Sequence, residues 1–261
     1  DGGLLLVKSV EDHIKIIKSV SNCINDNRNA SYVTHSVESM IAQRVYQIAA
    51  GYEDANDCDT LRDDSIIKIC SGRLPESENH LASQPTICRL ENILSAKELH
   101  SIGQVFINHF ISSYQSEPSV IILDCDDTNS NAHGHQQEIE YNDYYGEYCY
   151  MPLHIYEGLS GKLITTILRP GRPNKTANIS KILRKIITYL RKIWKNTKIV
   201  VRGDGHFCCK EFMDWTFLEK KTNFITGLAS NTVLNKLANI TIKSAEREYN
   251  QYKKPVKRYH S

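Results

Sequence analysis

No stretch of this 261-residue chain approaches the roughly 18 consecutive apolar residues of a membrane span. The apolar opening Leu4-Leu5-Leu6-Val7 is cut short by Lys8, too soon for the core of a secretory signal. The eight cysteines form no Cys-x-x-Cys pair, and the adjacent Cys208-Cys209 does not suit a redox site. Several cysteines lie inside apolar runs, and the chain is large enough to bury a core without staples, so they read as reduced cytosolic thiols. There is no internal repeat and no long low-complexity tract. Gly171-Arg-Pro-Asn-Lys-Thr176 lacks the Gly-Lys-Thr ending of a phosphate loop, and the sequons at Asn174 and Asn178 carry no meaning in a cytosolic chain.

What the chain does have is an uneven charge. Its formal net charge is only +2. Residues 1 to 160 nevertheless carry 10 Lys and Arg against 24 Asp and Glu, net −14, while residues 161 to 261 carry 22 against 6, net +16. A basic part of this size is the electrostatic footprint of a phosphate-backbone binder. A solvated basic face, or pairing of the two parts with each other, is the alternative.

The first thirty residues have a weak pattern, and little structure is expected there. A helix from Ser36 to Ala50 carries Val37, Met40, Ile41, Val45 and Ile48 on one stripe and stops at Gly51. A second long helix opens at Ser95 with a capping box to Glu98 and carries Leu99, Ile102, Phe106 and Phe110 on one side. After Pro118 the periodicity turns from helical to extended, which sets a domain boundary near Ser116. Residues 1–115 form a mainly helical region and 116–261 a second domain.

In that second domain, a strand through Leu123 precedes a polar loop. Glu147 to Tyr156 and Lys162 to Leu168 then read as a hairpin, and a helix from about Asn178 to Trp194 follows. Lys198 to Val201 is a strand, Lys210 to Lys220 a short helix, and Thr222 to Leu228 a strand, with a polar stretch from Asn231 onward. The order strand, strand, strand, helix, strand, helix, strand predicts an α/β fold, a ribonuclease-H-like mixed sheet flanked by helices. The helix after Asn178 buries Ile182, Leu183, Ile186, Ile187, Leu190 and Trp194, while Lys181, Arg184, Lys185, Arg191, Lys192 and Lys195 cover its other face. That face is read either as a DNA contact or as solvated surface.

Two aspartates stand out. Asp126 follows Val-Ile-Ile-Leu from Val120, and Asp204 follows Lys-Ile-Val-Val from Lys198, so each acid ends a run that reads as a buried strand. Open α/β sheets hold ligands at such strand ends. The pair is read as hard oxygen ligands for Mg²⁺ or Mn²⁺, or as ordinary turn acids in Asp126-Asp127 and Asp204-Gly205. Composition and spacing leave both open. His133, His135 and Cys149 do not have the spacing of a usual zinc site, and Glu211 and Glu219 read as surface charge.

Five segments in order carry a resemblance: Gly51-Tyr-Glu-Asp54; Leu81-Ala-Ser-Gln-Pro-Thr86 with Arg89-Leu-Glu-Asn92; Asp124-Cys-Asp-Asp-Thr128 with Gly134-His-Gln-Gln137; Tyr144-Tyr-Gly146 with Tyr148-Cys-Tyr-Met-Pro-Leu153; and Arg202-Gly-Asp-Gly-His-Phe207. Together they resemble the DDE-type transposases of bacterial insertion sequences, in the group with Gly-Tyr-Glu-Asp and Arg-Gly-Asp-x-Gly-Phe elements. The resemblance runs from about Ser36 to Leu228. It implies that Asp126, in the Asp-x-Thr pattern, is the first catalytic acid, chosen over Asp124 and Asp127, and that Asp204 is the second, with His206 where the family shows Gly.

The same resemblance implies a mechanism in which metal-activated water cuts the transposon end and the freed 3′ hydroxyl attacks target DNA. Two Mg²⁺ or Mn²⁺ ions would sit in a complete site. It further implies double-stranded DNA as partner through the transposon ends and the target, recognition of the ends by the N-terminal helices, and a homodimer in the DNA complex. Location would be the bacterial cytoplasm, on the nucleoid. The family's third acid, a glutamate on a later helix in a Tyr, Arg, Glu arrangement, has no match between Asn231 and Ser261, so the chain is read as stopping before its last catalytic carboxylate. The other readings are a catalytically dead DNA-binding remnant and a metal-dependent nuclease of the same fold.

Overall fold

The computed structural model describes residues 2–134, 136–172, 177–228 and 231–258. His135, both ends of the chain, and Asn174 with most of the Gly171-to-Thr176 segment lie outside them. In chain order, the helices are α1 (Gly3–Ile14), α2 (Ile16–Ser21), α3 (Val37–Ala49), α4 (Asp57–Thr60), α5 (Ser65–Cys70), α6 (Gln84–Asn92), α7 (Ala96–Ser112), α8 (Ala177–Ile193), α9 (Lys210–Leu218) and α10 (Thr232–Tyr252). The strands are β1 (Val120–Asp127), β2 (Ser130–Asn131), β3 (Glu140–Asn142), β4 (Glu147–Tyr150), β5 (Leu153–Glu157), β6 (Leu163–Ile167), β7 (Lys198–Gly203) and β8 (Thr222–Thr226).

The larger sheet has the order β6-β5-β1-β7-β8 and is mixed, and a small antiparallel sheet has the order β2-β4-β3. By packing, the chain divides into two compact units, residues 1–118 with 127–171, and residues 119–126 with 172–261.

In the first unit, α1 to α6 close over two adjoining cores. Leu4, Ile17, Ala42, Tyr46, Ile67, Cys70 and Leu81 form one, and Val37, Met40, Cys58, Ala82 and Ile87 the other. The chain is therefore helical from Gly3 to Ser21, with Lys15 in the left-handed region between α1 and α2, and Leu4 and Ile17 anchor these helices. The expectation of little structure there is corrected by that burial.

Helix α3 begins where expected. The Ser36 hydroxyl accepts from the Ser39 amide, and Gly51 takes φ 92° just past the end, which glycine adopts without strain. Its buried face differs from the apolar stripe, however. Val45 and Ile48 are exposed, whereas Gln43 and Gln47 are buried. Burying an amide is tolerated when both its ends are bonded. The Gln43 amide donates to the Ala82 carbonyl and accepts from the Ala82 amide, both at 2.9 Å, so a polar residue takes a core position.

Helix α7 carries the expected capping box and buries Ile107 and Phe110, but Leu99 is exposed. It packs against β6, where the Thr165 hydroxyl donates to the Gly103 carbonyl at 3.2 Å. The segment 147–156 is two strands rather than one. It breaks at Met151-Pro152, where proline has no amide to donate to a ladder. β4 pairs in the small sheet, and β5 forms the antiparallel hairpin with β6. The loop of that hairpin is held by the buried Glu157 carboxylate, which accepts from the Leu159 and Ser160 amides and the Ser160 hydroxyl.

In the second unit, β1, β7 and β8 are parallel. Ile121, Leu123, Ile199 and Val201 are fully buried, as are Leu183, Ile187 and Leu190 of α8. At about 1.5 to 3 kcal/mol per large apolar side chain, these positions supply much of the unit's stability. The 21-residue helix α10 occupies the stretch read from sequence as merely polar, and none of its residues is buried. Asn231 caps it by accepting from the Val233 and Leu234 amides.

One prediction concerns α7. Hydrogen bonds from the Ser95 hydroxyl, the Asn25 amide and the Ser95 amide hold the Glu98 carboxyl down to about 2. A depressed carboxyl contributes stability that is present above the ordinary value of 4.5 and is lost as pH falls toward about 2. Glu98→Gln should remove that acid-sensitive component, read as a shallower dependence of the urea midpoint on pH below about 5. An unchanged pH profile would rule the cap out as its source.

Candidate metal centre and nucleic-acid interface

The parallel pairing of β1 with β7 runs Val120↔Lys198 through Asp124↔Arg202 with a constant offset of 78 residues. Asp204 stands at that same offset from Asp126, two residues beyond the last paired positions. Neighbouring strands lie about 4.8 Å apart, and residues two apart on a strand share a face. Asp126 thus lies in the last pleat of β1, on the face that bears Asp124, and Asp204 directly follows the last residue of the adjacent parallel strand β7.

The three acids of β1 have different surroundings. Asp124 forms a two-pronged ion pair with Arg202, and that pairing pushes the guanidinium pKa further up. Asp127 faces the other side of the strand and pairs with the buried Arg169 guanidinium, whose Nε donates to the Met151 carbonyl. Asp126 is exposed and makes no hydrogen bond or ion pair among the described residues.

Asp204 is both a turn residue and a strand-end acid. It caps the 3₁₀ turn Gly205–Phe207, its Oδ1 accepting from the His206 amide at 2.8 Å while Oδ2 lies 3.6 Å from His206 Nδ1. One oxygen is thus committed to the backbone and the other lies beside His206, with the side chain 63% exposed. The turn depends on Gly203, where an added Cβ would lie 2.7 Å from the buried Phe207 ring.

Hard cations select carboxylate oxygens, and a carboxylate without a competing cation suits such a ligand. Asp126 meets that condition and Asp204 half meets it. Among the described residues, no group of three or more His, Cys, Asp and Glu side chains is arranged to hold a metal ion. Glu211 and Glu219 are tied to α8, at 3.5 Å from Arg184 and 4.0 Å from Arg191 respectively. His133 is exposed and Cys149 buried, with its thiol pKa raised by that burial, and His135 lies outside the described residues. All eight cysteines are free.

The basic face of α8 divides in two. Arg184 donates to the Glu211 carbonyl at 2.7 Å and lies 5.6 Å from the centre of the Trp215 ring. Arg191 donates to the Thr197 carbonyl at 2.6 Å and the Trp194 carbonyl at 3.3 Å. These two arginines brace α8 against its own unit. Lys181, Lys185, Lys192 and Lys195 are exposed. At 100° per residue Lys181, Lys185 and Lys192 fall on one stripe of α8, which at about 1.5 Å rise per residue extends over roughly 16 Å, and Lys195 lies just past the helix end at Ile193.

Sequence reasoning missed the Asp124–Arg202 clamp. Its signal was available in the matching patterns Asp124-x-Asp126 and Arg202-x-Asp204, which put opposite charges two residues before each strand-end acid.

The mixed five-stranded sheet in the order β6-β5-β1-β7-β8, flanked by helices, has the ribonuclease-H-like arrangement expected from the order of elements. The chain belongs to the transposase DDE domain group 1 family, whose sequence profile matches residues 1–261. No curated protein matches it significantly. Among solved structures, the cryo-electron microscopy structure of a piggyBac transposase synaptic complex with hairpin DNA is similar at a TM-score of 0.43 and 15% identity. That likeness covers 84% of this chain and 48% of the other, so the chain spans about half the length of the protein it matches. DDE transposases depend on divalent cations. No described helix is long and apolar enough to cross a membrane.

Gly203→Ala should force the Phe207 ring aside and lower stability by about 1 to 3 kcal/mol, as overpacking of a filled site does. Arg202→Met should leave the stability nearly unchanged, because the pair it breaks is partly exposed. Denaturant midpoints check both, and an unchanged Gly203→Ala midpoint would show that the ring gives way freely.

Proposed function

We propose that this chain is the catalytic part of a DNA transposase, with Asp126 and Asp204 as metal ligands. The parallel pairing of β1 with β7, the strands that carry Asp126 and lead into Asp204, supports this reading in a chain of the DDE family. Asp126 offers an unpartnered carboxylate and Asp204 its second oxygen to Mg²⁺ or Mn²⁺, two ions serving a complete site. Bound there, such ions supply Lewis-acid polarisation of a phosphodiester and lower the pKa of a coordinated water.

The chain's own residues do the rest. Arg202 cancels the charge of Asp124, so two acids and not three face the phosphate. Lys181, Lys185, Lys192 and Lys195 would hold the backbone of double-stranded DNA. Arg184 and Arg191 belong to the earlier set of six but brace the helix instead. In the wider reading, residues 1–115 recognise transposon ends, 116–261 form the catalytic domain, and a homodimer works on DNA in the bacterial cytoplasm.

Metal binding is tested by titrating Mn²⁺ into the full chain and following its electron paramagnetic resonance signal. Asp126→Asn and Asp204→Asn should each weaken binding at least about tenfold, the loss expected for a direct charged ligand. Binding equal to wild type in both would end the assignment. DNA contact is tested by the salt dependence of affinity for duplex DNA. Replacing the four exposed lysines with Gln should reduce the logarithmic slope by about three to four, at roughly 0.9 per phosphate contact, whereas an unaltered slope would put the contact elsewhere. Strand cutting without joining would favour the nuclease reading, and binding without cutting the remnant.

A further inference from the structure

The turn between β3 and β4 carries a cluster of tyrosines that the proposed chemistry does not use. Tyr141, Tyr144, Tyr145 and Tyr148 are 42%, 85%, 43% and 58% exposed. Tyr141 and Tyr148 face each other across the strand pair, with ring centres 5.4 Å apart, and Tyr144 and Tyr145 meet edge to face at 5.0 Å. The turn is rigidly held. The Asn142 side chain accepts from the Tyr144 and Tyr145 amides and donates to the Gly171 carbonyl at 2.7 Å, and Gly146 takes φ 71°. Four large rings fixed on a braced turn lose little conformational entropy on contact, which is why tyrosine is enriched at interfaces.

The surrounding charge narrows the occupant. Between residues 136 and 148 the chain carries Glu138, Glu140, Asp143 and Glu147 and no Lys or Arg. Such a surface repels a phosphate backbone and so does not suit DNA. It suits cations, which tyrosine faces attract and carboxylates pair with. The same chain supplies a matching segment in Lys253, Lys254, Lys257 and Arg258, four cations within six residues, of which Arg258 already pairs with Glu248. Lys253 already sits 5.6 Å from the centre of a tyrosine ring, that of Tyr249.

We propose that the tyrosine-bearing β3–β4 turn docks the basic segment 253–258 of a second copy of this chain. Each copy offers one turn and one segment, so the contact joins unlike surfaces of two identical chains. The contact does not rest on the transposase reading.

Sedimentation of the full chain tests it. The wild type should form dimers that weaken at least about tenfold between about 0.05 M and 0.5 M salt, where screening becomes short-ranged. Tyr144→Ala with Tyr148→Ala should abolish dimers, as should Lys253→Glu with Lys254→Glu and Lys257→Glu. All these positions are exposed, and circular dichroism checks that the variants stay folded. Glu138→Lys with Glu140→Lys, mixed with the charge-reversed segment variant, should restore a heterodimer. A wild type that stays monomeric at low salt overturns the proposal, as does dimerisation indifferent to both sets of variants. Loss of affinity for single-stranded DNA in the tyrosine variant, with sedimentation unchanged, would assign the rings to base stacking and also overturn it.

Discussion

The pairing of β1 with β7 is the constraint on which the second unit depends. A parallel pair slipped by one residue would turn every side chain to the opposite face, exposing Ile121, Leu123, Ile199 and Val201, all now fully buried. Burial of those four fixes the register, and the register fixes where Asp126 and Asp204 stand. The Asp124–Arg202 pair adds direction rather than much stability, since partly exposed ion pairs contribute about 0 to 1 kcal/mol. It rewards one alignment of the strand ends and penalises the neighbouring ones. The apolar interior thus sets the geometry of a polar edge.

That dependence explains which parts of the molecule were legible in the sequence. β1 and β7 were legible because an uninterrupted apolar run ending at a carboxylate has few other structural meanings. The capping box at Ser95 was legible because its two hydrogen bonds are local, and so was the Gly51 stop. The buried face of α3 was not. Its apolar stripe pointed to Val45 and Ile48, but Gln43 found both its partners on Ala82, 39 residues away, and no local pattern announces such a pairing. Helices α1, α2 and α10 were missed for a different reason. Helix α2 has only six residues, α1 buries only Leu4, and α10 buries none of its residues.

The candidate site was partly legible in the same sense. The two acids could be named from the strands they end, and the choice among Asp124, Asp126 and Asp127 rested on resemblance. Asp124 and Asp127 have arginine partners, and Asp126 is the acid of β1 whose side chain has none among the described residues. On α8 the six basic residues looked equivalent because helical spacing reports only which side of the helix a residue occupies. What separates Arg184 and Arg191 from the lysines is the nearness of Glu211, Trp215, Glu219 and Thr197, which comes from packing and not from period.

The uneven charge of the chain acquires a structural meaning from these placements. Its basic excess includes a lysine stripe on α8, in the same unit as the strand-end acids, whereas part of its acidic excess lies on the tyrosine turn. Attraction of a polyanion to the lysines works against the acids nearby, because two uncancelled carboxylates repel a phosphate. A third would deepen that repulsion, and Arg202 removes it by holding Asp124. The remaining two negative charges are what a divalent cation neutralises, so binding of metal and binding of DNA should strengthen each other by the same factor, as linkage between two sites requires. On the proposed reading, such coupling would keep phosphate away from the acids until the cation is present, ordering the two events without any moving part.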